Sequence, residues 1–99
     1  MYAIRYDPGA ADELRRLAAY YQRLILAEIA KHLTRTPTVR TKRRKPLPNL
    51  VHPWQAVPPL WELRVRDYRV FYEVSEADHV VTVWAIRRKP PGQRTEDIV

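Results

Sequence analysis

The stretch Leu60-Trp61-Glu62-Leu63-Arg64-Val65-Arg66-Asp67-Tyr68-Arg69-Val70-Phe71-Tyr72-Glu73-Val74 decides the fold. It holds two runs of alternating apolar and polar residues around the dipeptide Arg66-Asp67, the pattern of a β-hairpin with a two-residue loop. That loop sets Val65 opposite Tyr68, Arg64 opposite Arg69, Leu63 opposite Val70 and Glu62 opposite Phe71. Trp61, Leu63, Val65, Tyr68, Val70, Tyr72 and Val74 then share the core face. Arg64 and Arg69 meet on the other face. Like charges at opposed positions are destabilising by a few tenths of a kcal/mol or more. An anion held between them reverses the sign of that cost, so the pair is a candidate anion site.

C-terminal to the hairpin, Ser75-Glu76-Ala77-Asp78 reads as a turn, and His79 to Ile86 as a third strand rich in β-branched residues. Arg87-Arg88-Lys89 ends that strand near Arg69. Trp84 is placed on the open face with Arg69, as a stacking platform for a base or as ordinary core filling. N-terminal to the hairpin lies a long irregular connection, residues 37–59, with Pro37, Pro46, Pro48, Pro53, Pro58 and Pro59. Connections of that length are uncommon in compact domains and are usually functional or mobile. It carries Lys42-Arg43-Arg44-Lys45, and no Asp or Glu occurs between Thr34 and Trp61.

Residues 10–35 lack Gly and Pro and are rich in Ala, Leu, Arg and Glu, so they read as helical. Leu14, Leu17, Ala18 and Tyr21 form one stripe. Leu26, Ile29, Ala30 and Leu33 form another, turned by roughly 100°. Two helices with a break near Tyr20–Arg23 bring both stripes to one core. Asp7-Pro8 has the form of an N-cap followed by proline at the first helical position. Met1 to Tyr6 alternates like a strand. The order is β-α-α-β-β-β: a small single α+β domain over residues 1–99, with a helical hairpin on one face of an antiparallel sheet and the other face free for a partner.

The chain has 99 residues, with 18 Lys+Arg against 11 Asp+Glu, a net charge of +7 and no cysteine. The positive balance favours a polyanionic partner, nucleic acid or an acidic protein. Disulfides, thiolate metal sites and thiol nucleophiles are excluded. His32, His52 and His79 lack metal-ligand spacing, Gly9 and Gly92 cannot make a phosphate loop, and Ser75 has no triad partners. No metal and no cofactor are expected. No apolar run has the length of a membrane span, and Met1-Tyr2-Ala3-Ile4-Arg5-Tyr6 has no signal-peptide character, so a soluble cytoplasmic location is expected.

Arg44-Lys45-Pro46-Leu47, the run Trp61 to Tyr72, and Val83-Trp84-Ala85-Ile86 with the basic residues after it resemble the RelE/ParE superfamily of type II toxin–antitoxin toxins, along nearly the whole chain. The resemblance implies a growth-arresting toxin paired with a cognate antitoxin in a hetero-oligomer. In the RelE-like branch it implies a ribosome-dependent messenger RNA endoribonuclease that inhibits translation. In the ParE-like branch it implies a non-enzymatic DNA gyrase inhibitor. A degenerate member that only binds its antitoxin is a further alternative. By motif position, Arg64, Arg69 and Lys89 are the implied catalytic residues. Lys42, Arg43, Arg44, Lys45, Arg66, Arg87, Arg88 and Trp84 are the candidate RNA-binding residues. Two departures stand out. Glu62 occupies a position where the ribonuclease branch often has lysine. The tail Gln93-Arg94-Thr95-Glu96-Asp97 lacks the branch's tyrosine, for which Tyr72 and His79 are the candidate replacements. No general base is assigned.

Overall fold

The computed structural model describes all 99 residues. The elements are β1 (Ala3–Tyr6), α1 (Pro8–Arg15), α2 (Ala19–Leu33), β2 (Arg44–Pro46), β3 (Trp61–Val65), β4 (Tyr68–Ser75), β5 (Val80–Arg88) and a short 3-10 turn (Thr95–Asp97). They form one five-stranded sheet in the order β1-β5-β4-β3-β2. The sheet is mixed: β1 runs parallel to β5, and all other pairings are antiparallel. The connection read as irregular supplies the edge strand β2.

The β3–β4 register is the expected one, with Val65 opposite Tyr68 and Arg64 opposite Arg69. Arg66, the first loop residue, has φ +53°. A two-residue hairpin loop needs positive φ there to match strand twist, at a steric cost for a side chain larger than glycine's.

Asp7 caps α1, its carboxylate accepting the Gly9 amide at 2.9 Å, and Pro8 opens the helix. The helices break at residues 16–18, earlier than expected, and the Gln22 side chain ties the junction by donating to the carbonyls of Leu17 and Arg15. The buried stripe of α2 is Ile25, Ile29 and Leu33: Ile29 and Leu33 are the expected members, whereas Ile25 takes the place of Leu26, which is 41% exposed, and of Ala30, which is exposed. Starting α2 at Ala19 rotates it so that the i, i+4, i+8 row meets the sheet. There Ile25, Ile29 and Leu33 pack with Leu63, Val65, Val70, Tyr72, Val81 and Val83.

The other sheet face is not free along its length. Leu60, Phe71, Ala85 and Ile98 form a second cluster, packed by Leu47, Leu50 and Trp54 from the proline-rich connection and by Val99 from the C-terminus. A β-bulge in β5 makes this possible. Phe71 pairs with Ala85 but Tyr72 pairs with Val83, so Trp84 is the extra residue. Beyond it the facing of β5 reverses. Val81 and Val83 face the helices, whereas Ala85 and Arg87 face away. The end of this face beside the β3–β4 turn stays uncovered, as does the β1 edge around Arg5 and Thr82.

Candidate polyanion-binding site

Strand pairing lines up arginines across the uncovered end. Arg64 of β3 pairs with Arg69 of β4, and Arg69 pairs with Arg87 of β5. On the other flank the Arg64 amide donates to the Arg43 carbonyl at 2.7 Å. Four guanidinium-bearing residues thus stand side by side, and each is handled differently.

Arg87 is held by partners of its own. Its Nε lies 2.6 Å from Glu13, its Nη1 donates to the Ile98 carbonyl at 3.0 Å, and its guanidinium lies over the Trp54 ring. Arg69 is buried, and its Nη1 donates to the carbonyls of Arg66 and Tyr68 at 2.8 and 2.9 Å. Burial pulls this guanidinium below its ordinary pKa; Glu62 pulls it up and the opposed Arg64 pulls it down. Arg64 and Arg43 are exposed and have no carboxylate within ion-pair distance.

These groups line a pocket of about 200 Å³ made by Lys42, Arg43, Lys45, Glu62, Arg64, Arg69, Lys89 and Thr95, with no apolar side chain in its wall. Glu62 is its only carboxylate. It is buried, 3.8 Å from Arg69 Nε and 3.9 Å from Lys45 Nζ, and accepts the Thr95 hydroxyl at 3.1 Å. Glu62 sets one carboxylate among cations that provide charge and hydrogen bonds for a phosphate. Glu62 and Thr95 were not among the sequence candidates. Strand alternation alone puts Glu62 on the face of Arg64 and Arg69. Thr95 reaches the site only because Ile98 anchors the tail in the second cluster.

Of the sequence candidates, Lys42, Arg43, Lys45, Arg64, Arg69 and Lys89 converge here. Arg66 lines an adjoining cleft of about 460 Å³ with Lys42, Arg43, Arg64 and Asp67. The remainder are placed elsewhere. Arg44 faces the helices, where its Nε donates to the Val39 carbonyl and its Nη1 to the carbonyl and Nδ1 of His32, clamping the connection to α2. Arg87 is held as described. Arg88, after the bulge, shares the pairing face of Tyr68 on the helix side and is exposed. Trp84 packs beside the second cluster with its indole N–H on Glu73 at 2.7 Å, outside the pocket. Neither proposed replacement for the missing tyrosine is available. Tyr72 is fully buried and donates to the Pro37 carbonyl at 2.6 Å, and its burial pushes the phenol pKa up. His79 stacks on Tyr2 in the turn before β5.

The alignment of fold and basic pocket defines a class. Residues 4–89 match the family model of the ParE toxin of type II toxin–antitoxin systems, parDE. The chain therefore belongs to this family and is a RelE/ParE-like toxin of a type II toxin–antitoxin system. Solved structures agree. The archaeal RelE–RelB complex from Pyrococcus horikoshii is 26% identical with a TM-score of 0.68, covering 94% of this chain and 98% of that one. The isolated Escherichia coli RelE toxin shares the fold at 18% identity and a TM-score of 0.69, covering 98% of this chain and 90% of that one. The RelBE2 complex from Mycobacterium tuberculosis does so at 20% identity and a TM-score of 0.65, covering 89% and 98%. No curated protein sequence matches. No helix is long and apolar enough to cross a membrane.

Proposed function

We propose that this toxin is a ribosome-dependent messenger RNA endoribonuclease that arrests translation in the cytoplasm. The observation that carries the reading is the row of arginines whose two exposed members lack counter-ions, beside a buried carboxylate in the same pocket. Arg64 and Arg69 flank the scissile phosphate, with Arg43 and Lys42 on the adjoining backbone. Glu62 accepts the proton of the ribose 2′-hydroxyl as its oxygen attacks the neighbouring phosphorus. The bond from phosphorus to the 5′-oxygen breaks, leaving a 2′,3′-cyclic phosphate and a 5′-hydroxyl. The Lys89 ammonium supplies the proton to that leaving oxygen, since a guanidinium stays protonated and cannot do so. The arginines stabilise the charge that develops on the phosphorane oxygens.

A cognate antitoxin restrains this activity. The solved RelE–RelB complexes support such a partner. The exposed pair Tyr20 and Tyr21 of α2, in edge contact with each other, offers an aromatic anchor for an acidic amphipathic segment that folds on binding.

The test is messenger RNA integrity in translating extracts. Arg64→Ala should cut cleavage about 10²–10³-fold, the usual loss for a missing charge-stabilising donor. Arg64 is exposed, so its melting temperature should change little. Toxicity unchanged by both Arg64→Ala and Arg69→Ala defeats the assignment. The match to the ParE toxin model favours gyrase inhibition as the second reading. Its signature is a DNA damage response with intact messages.

A further inference from the structure

We propose that the cleft beside the basic pocket is a subsite for one unpaired nucleobase next to the scissile phosphate; the inference rests on the ribonuclease reading. The cleft measures about 1060 Å³ and lies between the proline-rich connection and the C-terminal residues. Lys45 and Thr95 are walls of both the cleft and the basic pocket, so the two adjoin. A polymer whose phosphate sits against Arg64 and Arg69 must leave the pocket along one of its two open sides.

Those sides differ in chemistry. The cleft of Lys42, Arg43, Arg64, Arg66 and Asp67 has no apolar side chain, and it suits phosphate alone. The larger cleft combines apolar walls from Leu47, Leu50 and Val51 with the amide of Asn49 and the ring of His52. An aromatic base needs that combination: an apolar surface for its face, and a donor or acceptor for its edge. Arg40, at the same cleft, supplies charge complementary to the next phosphate.

The subsite is preformed. Leu47 and Leu50 are anchored in the second cluster, and the His52 ring stacks on Trp54, which stacks on Phe71. Pro46, Pro48 and Pro53 restrict the backbone around it. Val51, by contrast, is 87% exposed, an apolar side chain with no packing role of its own.

The experiment uses the full chain and a short single-stranded RNA that is 2′-O-methylated throughout, so that it cannot be cleaved. Affinity is read by fluorescence anisotropy at several salt concentrations. A series carries one abasic residue at each position in turn. One internal position should stand out, its base removal weakening binding about 5–100-fold, the worth of one base contact. Val51→Ser and Asn49→Ala should shrink that position's effect while leaving the salt slope, which counts phosphate contacts, unchanged. Affinity that follows phosphate number alone, with no position standing out, overturns the subsite and leaves the cleft to a protein segment. A position effect insensitive to both substitutions overturns it too. Absence of any RNA binding overturns the subsite but not the ribonuclease reading, which requires the ribosome and is decided by message cleavage in translating extracts. Intact messages in translating extracts, with the position effect present, remove only that reading.

Discussion

Glu62→Gln separates the chemistry of the pocket from its affinity. The pocket wall carries six cationic side chains and one carboxylate. The substitution keeps the side-chain volume and leaves an acceptor for the Thr95 hydroxyl. It removes the single negative charge. At 3.8 Å from Arg69 Nε, the ion pair has a Coulomb energy of about 4 kcal/mol at an effective dielectric constant of ~20. Roughly half of that is offset because a buried carboxylate no longer needs desolvating, and Arg69 keeps its two carbonyl partners. Lys45 is half exposed and contributes little. The net loss is about 2 kcal/mol, a fall in melting temperature of ~8–16 °C for a domain of this size. Without its proton acceptor, cleavage in a translating extract should drop ~10²–10⁴-fold. Affinity for a non-cleavable RNA should hold or rise, because one repulsive charge has gone. Cleavage within a few-fold of the unsubstituted protein would refute the role of Glu62 as base, and an unchanged melting temperature would refute its coupling to Arg69.

Three further predictions concern the scaffold. Arg44→Lys should cost about 2 kcal/mol in denaturant unfolding, since one ammonium cannot span the Val39 carbonyl and both His32 acceptors. The pKa of His32 is lowered by burial, against an upward pull from Glu28 and with a downward one from Arg44. The stability of neutral His32 is fully present above its unfolded pKa of ~6.5 and is lost as pH falls through the lower folded value. Melting temperature should therefore drop on acidification below ~6.5, and less steeply in His32→Gln. Arg66→Gly should raise stability by about 0.5–1 kcal/mol by relieving the positive φ, read as a rise in melting temperature; no change would show that the turn is unstrained.

The hairpin was legible because its signals are local. A two-residue loop and strict alternation fix the pairing, and the pairing alone puts Arg64 opposite Arg69. The cap at Asp7-Pro8 was legible for the same reason. In α2 the spacing made Ile29 and Leu33 legible, but that Ile25 rather than Leu26 completes the stripe depends on how the junction held by Gln22 sets the helix on the sheet. The basic run Lys42-Arg43-Arg44-Lys45 reads as one patch in sequence. In the structure Arg44 turns inward to His32 while its neighbours stay outside, because strand alternation splits adjacent residues between faces.

By itself, the amino-acid sequence determined the order of the elements other than the edge strand β2, the meander of the last three strands and the opposed arginines, since each follows from periodicity over a few residues. Tertiary structure decided which basic residues are free. The bulge at Trp84 reverses the facing of β5, sending Arg87 to Glu13 and Arg88 to the helix side. The C-terminal residues dock through Ile98 and bring Thr95 to Glu62, a pairing across 33 positions that no local pattern encodes. Charge composition can be read along a chain, but whether a charge is neutralised depends on partners brought near by folding.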